Sequence, residues 1–313
     1  MTATCQPRDF IETPEGLIFA VVDGCTEDGR VLCFLRYVRE EGRLRKLGTD
    51  AANAYLYGRY PGFLFVSRRL DATLHGVPAV AIQRHYRPRE RVRELLRASA
   101  RDASEAKAAR WLQFMAARGL NPDRVGLTGS LLIGAQNAGS DLDFVIYGRD
   151  EFHAARRLLR ELIVLGELDG LSEADWREAY ERRGAALSFD EYLWHERRKF
   201  NKGMIAGTKF DISLIDEDLP PDASPARKLG ATVLQATVAD ASHGFDHPAL
   251  FRLDHPEVEV ALSFTATYVG QAETGETVEI AGMLEETASG RRRVVVGTSR
   301  EAPGEYIRVL RRG

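Results

Sequence analysis

Residues 125–148 read VGLTGSLLIGAQNAGSDLDFVIYG, and the Asp-Leu-Asp in that stretch constrains the fold more than any other feature. Asp141 and Asp143 open a run that continues Phe144, Val145, Ile146. In an extended chain residues i and i+2 point to the same face. Two carboxylates on one face repel each other, and burying them unpaired is costly. Either the pair sits at a strand end facing water, which suits Asp141 after the polar turn 137–140, or the fold brings a cation to it. Hard oxygen ligands suit a divalent ion such as Mg2+.

Two further features bear on that choice. Upstream, Gly129-Ser130 ends an apolar strand and opens a helix expected over 130–135. Glycine lets the backbone approach a phosphate closely, and free N–H groups at a helix start suit an anion. A plain N-cap uses the same residue types. Downstream, Asp211 stands alone in GTKFDISLI, between Phe210 and Ile212. Aspartate is disfavoured in strands, so it too needs a partner. If its strand lies beside that of Asp143, three carboxylates converge. Such a set can hold two metal ions that activate a hydroxyl and steady an in-line phosphoryl displacement.

Gly-Ser, ten residues, Asp-x-Asp and a later lone strand Asp together resemble the nucleotidyltransferase superfamily typified by DNA polymerase beta. The resemblance spans about residues 124–215 and extends in layout to stand-alone, uncharacterised archaeal and bacterial members. It implies that Gly129 and Ser130 hold a nucleoside triphosphate. It implies that Asp141 and Asp143 ligate Mg2+ (or Mn2+), with two ions in all. Asp211 would ligate the catalytic ion and help deprotonate the acceptor hydroxyl. The sequence departs from a minimal transferase in the 67 residues between Asp143 and Asp211, an insertion expected to shape an acceptor site or a lid.

The rest of the chain frames this segment. Its fold class is expected to be α+β: a central mixed-sheet transferase domain (124–218), an N-terminal α+β unit (1–88), a helical connector (89–123) and a C-terminal β-rich, barrel-like unit (219–313), with OB-like character. Strands are expected over 17–22, 31–38 and 63–66, and a helix over 49–57. The connector reads as helix broken near 100–104, its arginines forming a solvated face. An acidic, proline-paired break at 217–222 reads as a linker. Short strands with turn residues between them follow at close intervals. Three cysteines, Cys5, Cys25 and Cys33, give no disulfide framework and no zinc spacing.

Net charge is −3, from 43 basic and 46 acidic residues, so overall charge selects no polyanionic partner. No apolar run approaches the ~20 residues of a membrane span, and the first residues lack the regions of a signal peptide; a cytoplasmic protein without membrane contact is expected. Local basic runs remain. Arg197, Arg198, Lys199, Lys202 and Lys209 precede Asp211. Lys199 and Lys202 are expected to bind the nucleotide, and Arg197, Arg198 and Lys209 a nucleic-acid backbone. Arg291, Arg292 and Arg293, with Phe264, Tyr268 and Tyr306, would suit an oligonucleotide-binding barrel. The expected activity is transfer of NMP from an NTP to an acceptor hydroxyl, the preferred acceptor being an RNA or DNA 3′ end. Alternatives are a protein or small-molecule acceptor, a non-catalytic nucleotide- or nucleic-acid-binding scaffold, and a metal-dependent nuclease.

Overall fold

The computed structural model describes residues 5–216, 226–298 and 303–310 of a mixed α+β chain. The expected linker at 217–222 lies outside the described residues. The chain divides into two compact units: Met1–Ser67, Thr73–Asp169 and Lys202–Ala223 form one, and Arg68–Ala72, Gly170–Asn201 and Ser224–Gly313 the other. The chain therefore leaves the first unit three times and returns to it twice.

The first unit holds two sheets. One is built from β1 (Phe10–Glu12), β2 (Leu17–Glu27), β3 (Arg30–Glu40), β4 (Arg43–Lys46), β5 (Leu64–Ser67), β6 (Ala72–Pro78) and β7 (Arg84–Tyr86), in the order β5-β6-β3-β2-β1-β7, with β4 on β3. The head of β2 is apolar at every position because both faces are covered. Leu17, Phe19 and Val21 pack with Ala52 and Leu56 of α1 (Thr49–Arg59). Ile18 and Ala20 pack on the opposite side with Phe10, Tyr37, Leu132 and Ile133.

Leu132 and Ile133 belong to the second sheet's layer. That sheet comprises β8 (Val125–Leu127), β9 (Leu142–Tyr147), β10 (Lys202–Ile205) and β11 (Thr208–Ile215) in the order β10-β11-β9-β8. β9 and β11 are parallel and the outer pairings antiparallel. The β10–β11 hairpin turns on Ala206 (φ 47°) and Gly207 (φ 72°), the left-handed pair that a two-residue hairpin loop requires.

The connector is two helices, α2 (Pro88–Arg97) and α3 (Ala103–Ala116), the second capped by the Asp102 side chain on the Glu105 N–H. Trp111 of α3 stacks on Phe144 at 3.9 Å and lies 5.6 Å from Phe210. One face of the sheet is thus filled with rings. Because side chains alternate, Asp143 and Asp211 point to the other face. The short α4 (Gly129–Ile133) and the long amphipathic α5 (Arg149–Val164) complete the unit.

The second unit comprises α6 (Glu173–Arg183), α7 (Phe189–Lys199), β12 (Ala226–Asp240), β13 (Ala249–Asp254), β14 (Val260–Ser263), β15 (Thr277–Thr287), β16 (Arg292–Val296) and β17 (Tyr306–Val309). Five strands pair in a ring, β12-β13-β14-β16-β15 and back to β12, with β17 added on β15. Closure removes the exposed edges of those five. Trp176, Leu187 and Tyr192 from the helical segment share one core with Phe251, Ile280 and Val294 of the ring. Both helices start with a serine capping box, at Ser172 and Ser188.

Candidate active site

The parallel pairing of β9 and β11 sets Asp143 directly beside Asp211. On the far side of β11, Lys202 is the partner of Asp211. On the far side of β9, the Thr128 N–H donates to the Asp143 carbonyl at 2.9 Å. Residues paired across strands share a face, so Lys202, Asp211 and Asp143 form one row across the sheet, ending at Thr128-Gly129.

Gly129 closes that row. It adopts φ +66°, and a Cβ there would run into the Asp143 carboxylate. Two reasons therefore require glycine, backbone conformation and close approach. The helix differs from the expected one. It begins at Gly129 and spans five residues, Gly134 ends it at φ 71°, and Thr128 takes the N-cap position. The Thr128 hydroxyl makes no cap bond; it donates to the Arg8 carbonyl at 2.7 Å. At little more than one turn, α4 offers a close-approach backbone rather than a long dipole. Half-buried Ser130 occupies its second position.

α4 is braced from below. Arg91 of α2, 6% exposed, donates Nε–H to the Leu131 carbonyl at 2.9 Å and pairs with Glu105, 1% exposed. Burial would raise the Glu105 carboxyl, but Arg101 and Arg91 hold it down at about 2. The connector arginines were expected to form a solvated face. Arg91 departs from that because its buried guanidinium has both a carboxylate and a carbonyl to satisfy it. Only its place among the apolar Val92 and Leu95 marks it in the sequence.

The electrostatics of the row are those of crowded negative charge. Burial raises the Asp143 carboxyl well above the carboxylate range, and the charges of Asp211 and then Asp141 raise it further; Arg8 and Lys46 pull it back. Among the described residues no three or more His, Cys, Asp or Glu side chains stand as a ready metal cage. The donor set nevertheless fits Mg2+, which takes one or two protein carboxylates and completes its shell with waters and substrate phosphates. Two adjacent carboxylates, one charged only at a cost, are what such a cation would relieve.

The other expected site residues are placed elsewhere. Lys199 is 2% exposed; its ammonium donates to Glu196 Oε1 at 2.5 Å and to the Thr267 carbonyl at 2.8 Å, inside the second unit. It is committed to that core rather than turned to a phosphate. Arg198 forms two bonds to Glu276, at 2.7 and 2.5 Å, and lies 4.4 Å over the Trp194 ring. Arg292 pairs with Glu257 at 2.9 Å and Arg293 with Glu285 at 3.0 Å. Tyr268 is 3% exposed and so buried away from any base. Arg197 and Arg291 are exposed, and Lys209 is half-buried two residues before Asp211. His195 is a packing residue: Nδ1 bonds the Glu191 carbonyl at 2.7 Å and Nε2 accepts from the Val309 N–H. No described helix is long and apolar enough to cross a membrane.

Residues 109–200 match a family model described as a nucleotidyltransferase domain. The matched stretch carries Gly129, Ser130, Asp141 and Asp143 and stops short of Asp211. An uncharacterised protein of Methanocaldococcus jannaschii is 31% identical over 335 residues, covering 97% of this chain and 98% of that protein. That likeness takes in the N-terminal sheet and the barrel as well as the matched stretch. No solved structure gives a significant match. The matched domain together with the Gly-Ser and Asp-x-Asp residues within it shows that the chain belongs to the nucleotidyltransferase superfamily.

Proposed function

We propose that the protein transfers a nucleoside monophosphate from an NTP to an acceptor hydroxyl and releases pyrophosphate. The observation that carries this reading is the row Lys202–Asp211–Asp143 ending at Gly129. Gly129-Ser130 holds the triphosphate against the backbone, with Asp143 alongside. Asp211, in the centre of the row, takes the proton of the acceptor hydroxyl as its oxygen attacks the α-phosphorus. Lys202, opposite Asp211, offsets negative charge on the phosphates. Asp143 and Asp211, with Asp141 beside them, would hold Mg2+, which would supply charge neutralisation at the phosphates and a lowered pKa for the attacking hydroxyl.

The acceptor we favour is a nucleic-acid 3′ end. The five-stranded closed barrel supports it, since barrels of this size bind oligonucleotides in other proteins. In the barrel unit, where Arg198, Lys199, Arg292 and Arg293 are ion-paired, the exposed Arg197 and Arg291 are its backbone contacts.

The test offers purified protein each labelled NTP with Mg2+ or Mn2+, and single-stranded RNA, single-stranded DNA, primed duplex or tRNA as acceptor. Label on one acceptor, lost in the Asp141→Asn/Asp143→Asn variant, is the expected result. Shortened oligonucleotides identify a nuclease instead. Binding without label or cleavage overturns the nucleic-acid acceptor.

A further inference from the structure

The N-terminal sheet was expected only to flank the transferase domain. In the structure one of its faces packs directly on α4: Phe10, Ile18 and Tyr37 share a core with Leu132 and Ile133, and Leu44 and Ala135 pack against it. The contact continues to the phosphate-side backbone, where the Arg8 carbonyl accepts the Thr128 hydroxyl at 2.7 Å. Thr128 is itself one hydrogen bond from Asp143. Arg8 is held with φ at +77°, an uncommon conformation for a side-chain-bearing residue.

Lys46 reaches the same place by a different path. In the β3–β4 register Lys46 lies opposite Tyr37, and Leu44 is two residues before it. Cross-strand partners and i, i+2 neighbours share a face. Lys46 therefore projects on the face that Tyr37 and Leu44 turn toward α4. The electrostatics agree with this placement. Arg8 and Lys46 are both near enough to act on the Asp143 carboxylate. Burial raises the Tyr37 phenol, Arg36 lowers it and the Asp143 charge raises it again, so Tyr37 also senses the site.

Both cations are exposed. Among the described residues neither has a carboxylate within ion-pair distance. A nucleotide site that holds two adjacent aspartates needs cations to admit a polyanion. We infer that the N-terminal sheet supplies one wall of the nucleotide site, with Arg8 and Lys46 binding the triphosphate of the incoming NTP. This rests on the nucleotidyltransferase reading above. The sheet is then part of the substrate site, and Tyr37, through its packing on Leu132 and Ile133, positions α4 against it.

Inorganic tripolyphosphate tests the inference without any assumption about base or acceptor. Calorimetric titration of the protein in Mg2+ would use tripolyphosphate and each NTP in turn. The Arg8→Gln/Lys46→Gln variant is expected to bind both probes more weakly, by about tenfold or more for each cation removed. Its binding should also depend less on salt. Arg8→Lys/Lys46→Arg keeps the charges and is expected to retain most of the affinity, which separates binding from folding. Wild-type binding that the Gln pair does not weaken overturns this inference and leaves the transferase reading intact. A wild-type protein that binds neither NTP nor tripolyphosphate overturns both.

Discussion

The β8–β11 sheet and the barrel hold charge in opposite ways. In the barrel unit, cations find carboxylates: Lys199 with Glu196, Arg198 with Glu276, Arg293 with Glu285. In the sheet, Asp143 lies beside Asp211 with Asp141 adding to the repulsion, and the exposed Arg8 and Lys46 stand near without pairing. The first arrangement completes itself within the chain. The second, on the function proposed above, is where the nucleotide and its cation would join. The basic runs of the sequence drew attention to the barrel unit, where most of the charge is already neutralised. Charge density locates a surface; charge without an internal partner locates a site.

The largest test of this contrast removes the charge from the row. Asp143→Asn or Asp211→Asn is expected to lower transfer by at least about 10³-fold, the scale of losing a key electrostatic group. Thermal melting should be unchanged or raised for Asp143→Asn, because a carboxylate charged at a cost is gone. A variant with full activity would remove that residue from the chemistry.

The barrel should answer the reverse way. Lys199→Ala leaves Glu196 buried without its partner and is expected to cost about 3–5 kcal/mol of stability by denaturant titration. A Lys199→Ala protein of normal stability would contradict the closed ion pair.

Gly129→Ala keeps every charge but crowds the Asp143 carboxylate and strains a backbone held at φ +66°. Transfer is expected to fall about 10²-fold, the scale of a misplaced reacting group. An active Gly129→Ala enzyme would mean the close approach is dispensable.

A smaller and finer test is pH. His195 is buried and neutral, with burial pushing its pKa down to about 4. The unfolded chain takes up a proton below about 6.5, so this contribution to stability is present above that pH and lost as pH falls toward 4. His85 has the opposite sign. Its bond to Asp9, then that to Cys5, raises it to about 9. Its contribution is full below about 6.5 and lost as pH rises through 9. His195→Gln should flatten the acid limb of the stability profile and His85→Gln the alkaline limb, by a kcal/mol or so each. An unchanged limb removes the corresponding histidine from that dependence.

Much of this was legible in the sequence where the signal is local. The apolar head of β2 and the aspartates within apolar strands state their surroundings within a few residues. What was hidden depends on a distant partner. The β4 strand is Arg-Leu-Arg-Lys, which carries no apolar face, and only its pairing with β3 makes it a strand. Arg91 reads as one more helix arginine until Glu105 and Leu131 are seen to receive it. The lysine at the end of α7 reads as a phosphate ligand until Glu196 folds under it.

The stretch matching the family model, residues 109–200, contributes to both units: the part through Asp169 goes to the first and Gly170 onward to the second. During synthesis β9 leaves the ribosome well before β11, so Asp143 waits for Asp211 until the intervening helices have been made. α6 and α7 in turn appear before any strand of the ring that covers Trp176 and Tyr192. Neither unit can be finished from the amino end alone. A gene fragment cut to the boundaries of the family match would carry the Asp-x-Asp pair but not β11, which sets Asp211 beside it, and two helices without their core.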